Sequence, residues 1–191
     1  MMRWITCQSM GRFYRLEVDG MNHWPTQGPV ILCPKHQRWE DIPVVGMAFP
    51  RPLHYIAKAE LFQQPISRKF LQALGGVPVD RQRPQATLST FRSLQQILGG
   101  QGQIVLFPEG TYFPGETGPG KHRLIQMLLR LQNRLSWGPL PFLPIGIAYH
   151  PYSPGYRVRV QLGPVLSAGS PHQAQELTES IMREIDRLST W

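Results

Sequence analysis

The chain has 191 residues, 41% of them hydrophobic, which indicates a single folded domain with a sizeable core and excludes general disorder. Its two cysteines, Cys7 and Cys33, exclude a disulfide framework or a CxxC metal site and indicate a reducing compartment. The net charge of +8 favours an anionic partner. The sequence contains no run of roughly 20 apolar residues and no signal-peptide core, so we expect neither a membrane-spanning helix nor a signal peptide.

The chain opens with MMRWITCQSMGRFYR, which mixes large apolar side chains with three arginines. This composition is typical of a helix that lies on an anionic lipid surface. Its apolar face is only modestly developed, so an ordinary docking helix is an equal alternative. We therefore predict an interfacial or docking helix over residues 1–14.

Apolar runs of two kinds follow. Four short or alternating runs predict strands, at 29–33, 103–107, 142–149 and 156–163. Three longer runs repeat apolar residues at helical spacing, at 86–100, 122–136 and 170–188. This alternation predicts one α/β domain over residues 1–191, with a mixed central β-sheet flanked by helices. Within it, 29–149 is the motif core and 156–190 is a C-terminal strand and helix.

The longest stretch without predicted structure is PEGTYFPGETGPGK, residues 108–121. It contains four glycines and three prolines and directly follows a predicted strand. A loop of this length inside a compact domain is often functional. We therefore expect it to border a site.

His36 lies in the segment CPKHQRWEDIP, between a predicted strand and a helix, with carboxylates four and five residues further on. A carboxylate bonded to one ring nitrogen can orient a neutral histidine as a general base. On an ideal helix Glu40 is the better-placed partner, but Pro34 favours a turn, from which Asp41 is equally accessible. Spacing leaves both open, and a histidine beside solvated charges is the plain alternative. The other histidines show no metal-ligand spacing, so no metal is predicted.

Four segments occur in a fixed order: HQRWED, GGVPVDR, FPEGT and LPIGIAY. Together they resemble the motifs of the glycerolipid acyltransferases, whose best-known members are the 1-acyl-glycerol-3-phosphate acyltransferases. The resemblance covers roughly residues 15–150 and implies a glycerol-3-phosphate acyltransferase-like α/β fold. It implies an enzyme that moves a fatty acyl group from acyl-CoA or acyl-carrier protein to the free hydroxyl of a lysophospholipid. The first candidate acceptor is 1-acyl-sn-glycerol-3-phosphate, which gives phosphatidic acid.

The resemblance also assigns roles to residues. It makes His36 the general base and Asp41 its orienting carboxylate, and Arg81 matches the family arginine implicated in holding the acceptor phosphate. Further residues expected to border the acceptor pocket are Lys58, Glu109, Gly110 and Thr111. Because Glu109 cannot bind phosphate directly, we expect it to orient a base or backbone donors. No cofactor is implied beyond the acyl thioester, which is a co-substrate.

The sequence departs from the family pattern at three positions. Tyr112 follows FPEGT where arginine is common, Lys35 stands where asparagine is frequent, and Arg38 where serine is frequent. Loss of the arginine removes one expected phosphate contact. Either Lys35 or Arg38 restores the charge, or the acceptor is another lysophospholipid or glycerol-3-phosphate.

Residues 51–92 contain seven basic and two acidic residues, so positive charge is concentrated there. Charge alone leaves open nucleic acid, an anionic membrane surface, a phosphorylated small molecule or a merely solvated face. The resemblance favours peripheral attachment to the cytoplasmic side of an anionic membrane, with no nucleic acid. The alternatives are a non-catalytic membrane- or nucleic-acid-binding domain on the same fold and a thioester hydrolase. A binding domain would need neither His36 nor Asp41.

Overall fold

The computed structural model describes residues 13–79, 84–135 and 138–190. The strands in this part of the chain are β1 (Tyr14–Asp19), β2 (Val30–Pro34), β3 (Leu53–Lys58), β4 (Val77–Val79), β5 (Gln103–Val105), β6 (Phe142–Tyr152) and β7 (Gly155–Leu162). They form one sheet in the order β1-β7-β6-β2-β5-β3-β4. Strands β6 and β7 are antiparallel, and the other neighbouring pairs are parallel. The predicted mixed sheet is confirmed.

The α-helices of the described residues are α1 (Asp41–Ala48), α2 (Pro65–Ala73), α3 (Pro84–Gly99), α4 (His122–Gln132) and α5 (Ala174–Leu188). Short 3₁₀ helices lie at Met21–His23, Ala59–Phe62 and Pro171–Gln173. The last of these leads into α5 and carries a capping box, in which the side chains of Ser170 and Gln173 bond to backbone N–H groups. Among the described helices, none is both long and apolar enough to cross a bilayer.

The sheet is covered on both faces, and β2 lies at its centre. Ile31 and Cys33 pack into the core formed with α3, α4 and α5, whereas Val30 and Leu32 pack into the core that includes α1. Successive side chains of a strand point to opposite faces, so a strand buried on both faces is a continuous apolar run. Burial also raises the pKa of the Cys33 thiol. That thiol is therefore a protonated core side chain and not a nucleophile.

The predicted elements are found with small shifts in their boundaries. Strand β2 begins one residue later than predicted, and β5 ends at Val105, so Phe107 lies beyond the strand. Strands β1, β3 and β4 and helix α2 are additional elements that the apolar runs did not reveal.

The prediction of an N-terminal helix requires a correction at its end. Tyr14 is the first residue of β1, which pairs in parallel with β7 and has every second side chain partly buried. The helix therefore cannot extend to residue 14, because the backbone there is committed to the sheet. Residues 1–12 lie outside the described part of the chain.

Candidate functional site

His36 lies in the turn between β2 and α1, as the sequence predicted. Its ring stacks on Phe107, with centroids 3.9 Å apart, and is tilted against Tyr112 at 4.4 Å. Phe107 lies just past β5, the parallel neighbour of β2. The site is therefore at the carboxyl ends of adjacent parallel strands, where α/β sheets usually bind their ligands.

Asp41, the first residue of α1, organises this turn. Its Oδ2 lies 3.2 Å from Nδ1 of His36 and accepts the backbone N–H groups of Gln37 at 2.6 Å and Arg38 at 2.8 Å. Its Oδ1 accepts the hydroxyl of Tyr149 at 2.8 Å, and the carboxylate is fully buried. Because an ionised carboxylate can only accept, Nδ1 carries the hydrogen, and in the neutral imidazole Nε2 is then the nitrogen with the lone pair. Burial and the nearby Asp41 raise the pKa of Tyr149, which therefore remains a donor.

The other carboxylate near the histidine, Glu40, does not take part in this network. It is partly exposed, and the hydroxyl of Tyr14 approaches its Oε1 at 3.5 Å. The four-residue spacing would favour Glu40 only if residues 36–40 were helical, but α1 begins at Asp41. Since His36 lies in the turn, the structure brings it to Asp41.

Glu109 lies behind the turn and not in a cavity wall. It is fully buried, and its Oε2 accepts the backbone N–H of His36 at 2.7 Å. Its Oε1 accepts from Nζ of Lys35 at 2.7 Å and from the N–H of Gly118 at 2.8 Å. The chain reverses just after it at Gly110, which has a φ of 67° that a glycine adopts without strain.

The two cations proposed to replace the missing arginine are held differently. Lys35 is 2% exposed, and its ammonium is committed to Glu109 and to the carbonyl oxygen of Phe113. Arg38 is half-buried, with its guanidinium carbon 4.4 Å from the centroid of the Tyr149 ring. Lys35 therefore cannot reach an acceptor phosphate while it is bound to Glu109.

A cavity of about 240 Å³ opens beside His36. The aliphatic part of its wall includes Ile56, Leu71, Val79, Leu106 and Leu124. Its polar edge is formed by His36, Lys58, Gly110, Thr111 and Tyr112. An apolar pocket with a few polar groups at one edge is typical of a site for an amphipathic ligand.

Comparison with known proteins identifies the family. The family model described as Acyltransferase matches residues 15–148, which is more than half of the chain. The chain belongs to the acyltransferase family. The resemblance to the glycerolipid acyltransferases is thereby confirmed.

Two curated relatives of this acyltransferase-family chain illustrate the range of the match. A 1-acyl-sn-glycerol-3-phosphate acyltransferase of Bacillus subtilis is 32% identical over 98 residues, which cover 50% of this chain and 48% of that protein. A lyso-ornithine lipid O-acyltransferase of Pseudomonas aeruginosa is 29% identical over 89 residues, which cover 47% of this chain and 33% of that protein. The chain thus spans less than half the length of either relative.

A solved structure supports the fold. The crystal structure of the 1-acyl-sn-glycerophosphate (LPA) acyltransferase PlsC from Thermotoga maritima has a TM-score of 0.68 to this chain and 19% sequence identity. The match covers 99% of this chain and 79% of that chain. The predicted α/β fold of this acyltransferase-family chain is confirmed.

Most of the predicted site residues lie around one cavity of this acyltransferase-family chain. His36, Lys58, Gly110 and Thr111 line it, Asp41 holds the histidine, and Glu109 holds the backbone of the turn from behind. Arg81 lies outside the described residues. Across 13–79, 84–135 and 138–190, no three His, Cys, Asp or Glu side chains converge as a metal site would require.

Two residues of this network were not identified from the sequence as partners of the site. Tyr149 had a weak signal, because it ends the segment LPIGIAY, which resembles a family motif. Lys35 was considered only as a cation for the acceptor. Its pairing with Glu109 joins residues 74 positions apart, and no periodicity in either segment indicates that contact.

Proposed function

We propose that this chain is an O-acyltransferase that moves a fatty acyl group from an acyl thioester to the free hydroxyl of a lysophospholipid. The donor is acyl-CoA or acyl-carrier protein. The first candidate acceptor is 1-acyl-sn-glycerol-3-phosphate, and the product is then phosphatidic acid. The observation that carries this proposal is the buried His36–Asp41 pair, with its imidazole opening onto an apolar cavity.

The geometry suits removal of a proton from a hydroxyl. Asp41 accepts the hydrogen on Nδ1, which fixes the tautomer and leaves Nε2 of His36 as the base. The acceptor hydroxyl gives its proton to Nε2 while its oxygen attacks the carbonyl carbon of the thioester. The carbon–sulfur bond then breaks, the acyl group stays on the acceptor oxygen as an ester, and the departing thiolate takes the proton held on Nε2, which gives the free thiol and restores neutral His36. No serine or cysteine of the protein is needed, because the nucleophile belongs to the substrate.

The cavity supports an acyl group as one half of the ligand. Its aliphatic wall can bury a hydrocarbon chain, and each buried methylene contributes about 0.8 kcal/mol. Lys58 is the cation that lines the same cavity among the described residues, and it lies at the polar edge. We propose that Lys58 and Arg81 contact an anionic head group, with Gly110 and Thr111 bordering it.

A second acceptor class is favoured by Tyr112. This residue stands where the family commonly has arginine, and its ring lies 4.4 Å from the imidazole. Burial and the nearby Asp41 raise the pKa of its hydroxyl, so Tyr112 adds no charge to the edge of the cavity. One matched relative is named a lyso-ornithine lipid O-acyltransferase. A lysolipid with a larger or less anionic head group is therefore the second candidate.

The substrates place the enzyme at a membrane, and we propose peripheral attachment to an anionic surface on its cytoplasmic side. Lys58, Arg68 and Lys69 are exposed along residues 58–73, beside the exposed apolar side chains of Leu61 and Phe70. Basic residues interspersed with apolar ones favour an anionic bilayer surface. Binding to vesicles with and without anionic lipid, before and after substitution of the three cations by glutamine, tests this attachment.

The experiment for the activity is direct. Purified protein is incubated with acyl-CoA or acyl-carrier protein and a panel of lysophospholipids that includes a lyso-ornithine lipid, and products are identified by mass. We expect a diacyl product with the wild type and at least about a 100-fold slower reaction with His36→Ala. Free fatty acid as the main product would support a thioester hydrolase. Vesicle binding without any turnover would support a non-catalytic domain.

A further inference from the structure

We propose that Lys35 is a positioning residue that fixes the backbone of His36 through Glu109 and the ring of Tyr112 through Phe113, at the edge of the cavity. This inference rests on the proposed acyl transfer for its kinetic consequence. The contacts that carry it belong to the structure and can be tested without turnover.

The Lys35–Glu109 pair is a fully satisfied buried network. Nζ of Lys35 lies 2.7 Å from Oε1 of Glu109, and the two side chains are 3% and 0% exposed. The ammonium also donates to the carbonyl oxygens of Phe113 at 2.9 Å and His36 at 3.4 Å. The carboxylate accepts from Lys35, Gly118 and the His36 N–H. Each charge therefore has hydrogen-bond partners that compensate for the loss of water.

Both peptide groups of His36 are held by this network. Its N–H donates to Glu109 at 2.7 Å, and its carbonyl oxygen accepts from the backbone N–H of Phe113 at 2.9 Å. The direction of the Cα–Cβ bond is set by these contacts, whereas Asp41 sets the rotation of the ring. Two separate carboxylates thus determine where Nε2 points.

The same contacts hold the segment 107–121 against the turn. Lys35 and the carbonyl group of His36 both bond to Phe113, and the residue before it, Tyr112, contacts the imidazole. Loss of the lysine therefore releases one attachment of the segment that forms the polar edge. A displacement on the order of 1 Å at a reacting group can cost about 100-fold in rate.

The test compares Lys35→Met, the neutral pair Lys35→Met/Glu109→Gln and the exposed control Lys121→Met. We expect kcat per folded molecule to fall about 10- to 100-fold in Lys35→Met, with the KM of the acyl donor changed less than about threefold. The neutral pair should recover thermal stability, because no unpaired charge is buried, and part of kcat, because glutamine can still accept the His36 N–H. Lys121→Met should match the wild type.

Two outcomes contradict the proposal. If Lys35→Met lowers thermal stability but leaves kcat per folded molecule within about twofold, the pair is merely structural. If instead the acceptor KM carries the whole effect, Lys35 contacts substrate and does not act through Glu109.

An NMR measurement separates this inference from the proposed activity. The short contact to Glu109 predicts a strongly downfield backbone amide proton for His36 in the wild type. That signal should move upfield in Lys35→Met and in Glu109→Gln, whether or not any acceptor is turned over. An unchanged His36 amide in both variants would overturn the positioning role even in an active enzyme.

Discussion

The His36 turn, residues 35–41, and the basic segment, residues 58–73, border the same cavity but are held in different ways. In the turn, Lys35, His36 and Asp41 are buried and share hydrogen bonds. In the basic segment, the cations are exposed. A buried network is costly to alter, because each lost partner leaves an unsatisfied group. Exposed charges can change without such a penalty, so the turn suits the chemical step and the segment suits recognition.

The largest effect is expected from Asp41→Asn, which alters the buried network of the turn. An asparagine at this position alters the tautomer that Asp41 fixes, so we expect kcat to fall about 10²- to 10⁴-fold while the protein stays folded. The matched control is Glu40→Gln, which removes a neighbouring carboxylate outside the network and should change kcat less than about threefold. Steady-state kinetics with circular dichroism checks both. The reverse order of effects would assign the histidine to Glu40.

Recognition should respond differently from catalysis. Arg81→Ala removes the cation that matches the family arginine, and a charge-assisted contact of this kind contributes about 1.5–3 kcal/mol. We expect the acceptor KM to rise roughly 10- to 100-fold, with a smaller effect on the donor. Arg81→Lys should recover only part, because lysine lacks the planar fork. Equal effects on donor and acceptor would contradict a phosphate contact.

Strand and helix patterns were readable wherever burial has a simple period. The buried faces of α4 and α5 follow that rule, whereas strand β2 was readable as a continuous apolar run that is buried at every position. Strand β1 carries an alternating YRLEVD, but the neighbouring arginines and aromatic residues also suited a surface helix. Its pairing with β7 decides the outcome, and that contact is far away in the sequence.

The residues of the site were predictable where they lie close together in the sequence or belong to a family motif. His36 and two candidate carboxylates were visible; the spacing left the choice between them open, because it depends on where α1 begins, and the family resemblance selected Asp41. The contacts of Lys35 with Glu109 and of Tyr149 with Asp41 join different elements across the fold. No periodicity encodes such contacts, because they depend on how separate strands, helices and loops meet in the fold.

A smaller effect should come from the hydroxyl that supports Asp41. Tyr149→Phe removes the donor to Oδ1 and leaves the donors to Oδ2 in place. We expect kcat to fall on the order of 10-fold, since a hydrogen bond to a charged group contributes about 1.5–3 kcal/mol and the carboxylate can relax in part. The KM values should stay within about twofold, because Tyr149 does not line the cavity. A change confined to KM would place Tyr149 in substrate binding.

The smallest predicted effect is on stability and concerns Tyr55, which lines the cavity beside His36. Burial raises the pKa of Tyr55, whose hydroxyl donates to the carbonyl oxygen of Ile42 at 2.9 Å. In the unfolded chain this group ionises near its ordinary value of 10.0, whereas the folded protein keeps the proton to higher pH. The folded state then binds more protons, so the free energy of unfolding falls as pH rises above about 10.

Tyr55→Phe removes this group and should make that decline shallower by up to about 1.4 kcal/mol per pH unit. Urea unfolding between about pH 9 and 11 measures the slope. Tyr55→Phe also removes the hydrogen bond to Ile42, which lowers the free energy of unfolding by a similar amount at every pH below that range. The difference in stability at the lower pH therefore reports the lost hydrogen bond, and the difference in slope reports the ionisation of the hydroxyl. Parallel curves for the variant and the wild type would mean that Tyr55 releases its proton without unfolding. Tyr55 would then be accessible to solvent in the wall of the cavity. The side of the cavity next to the buried His36 turn would in that respect not differ from the exposed basic segment.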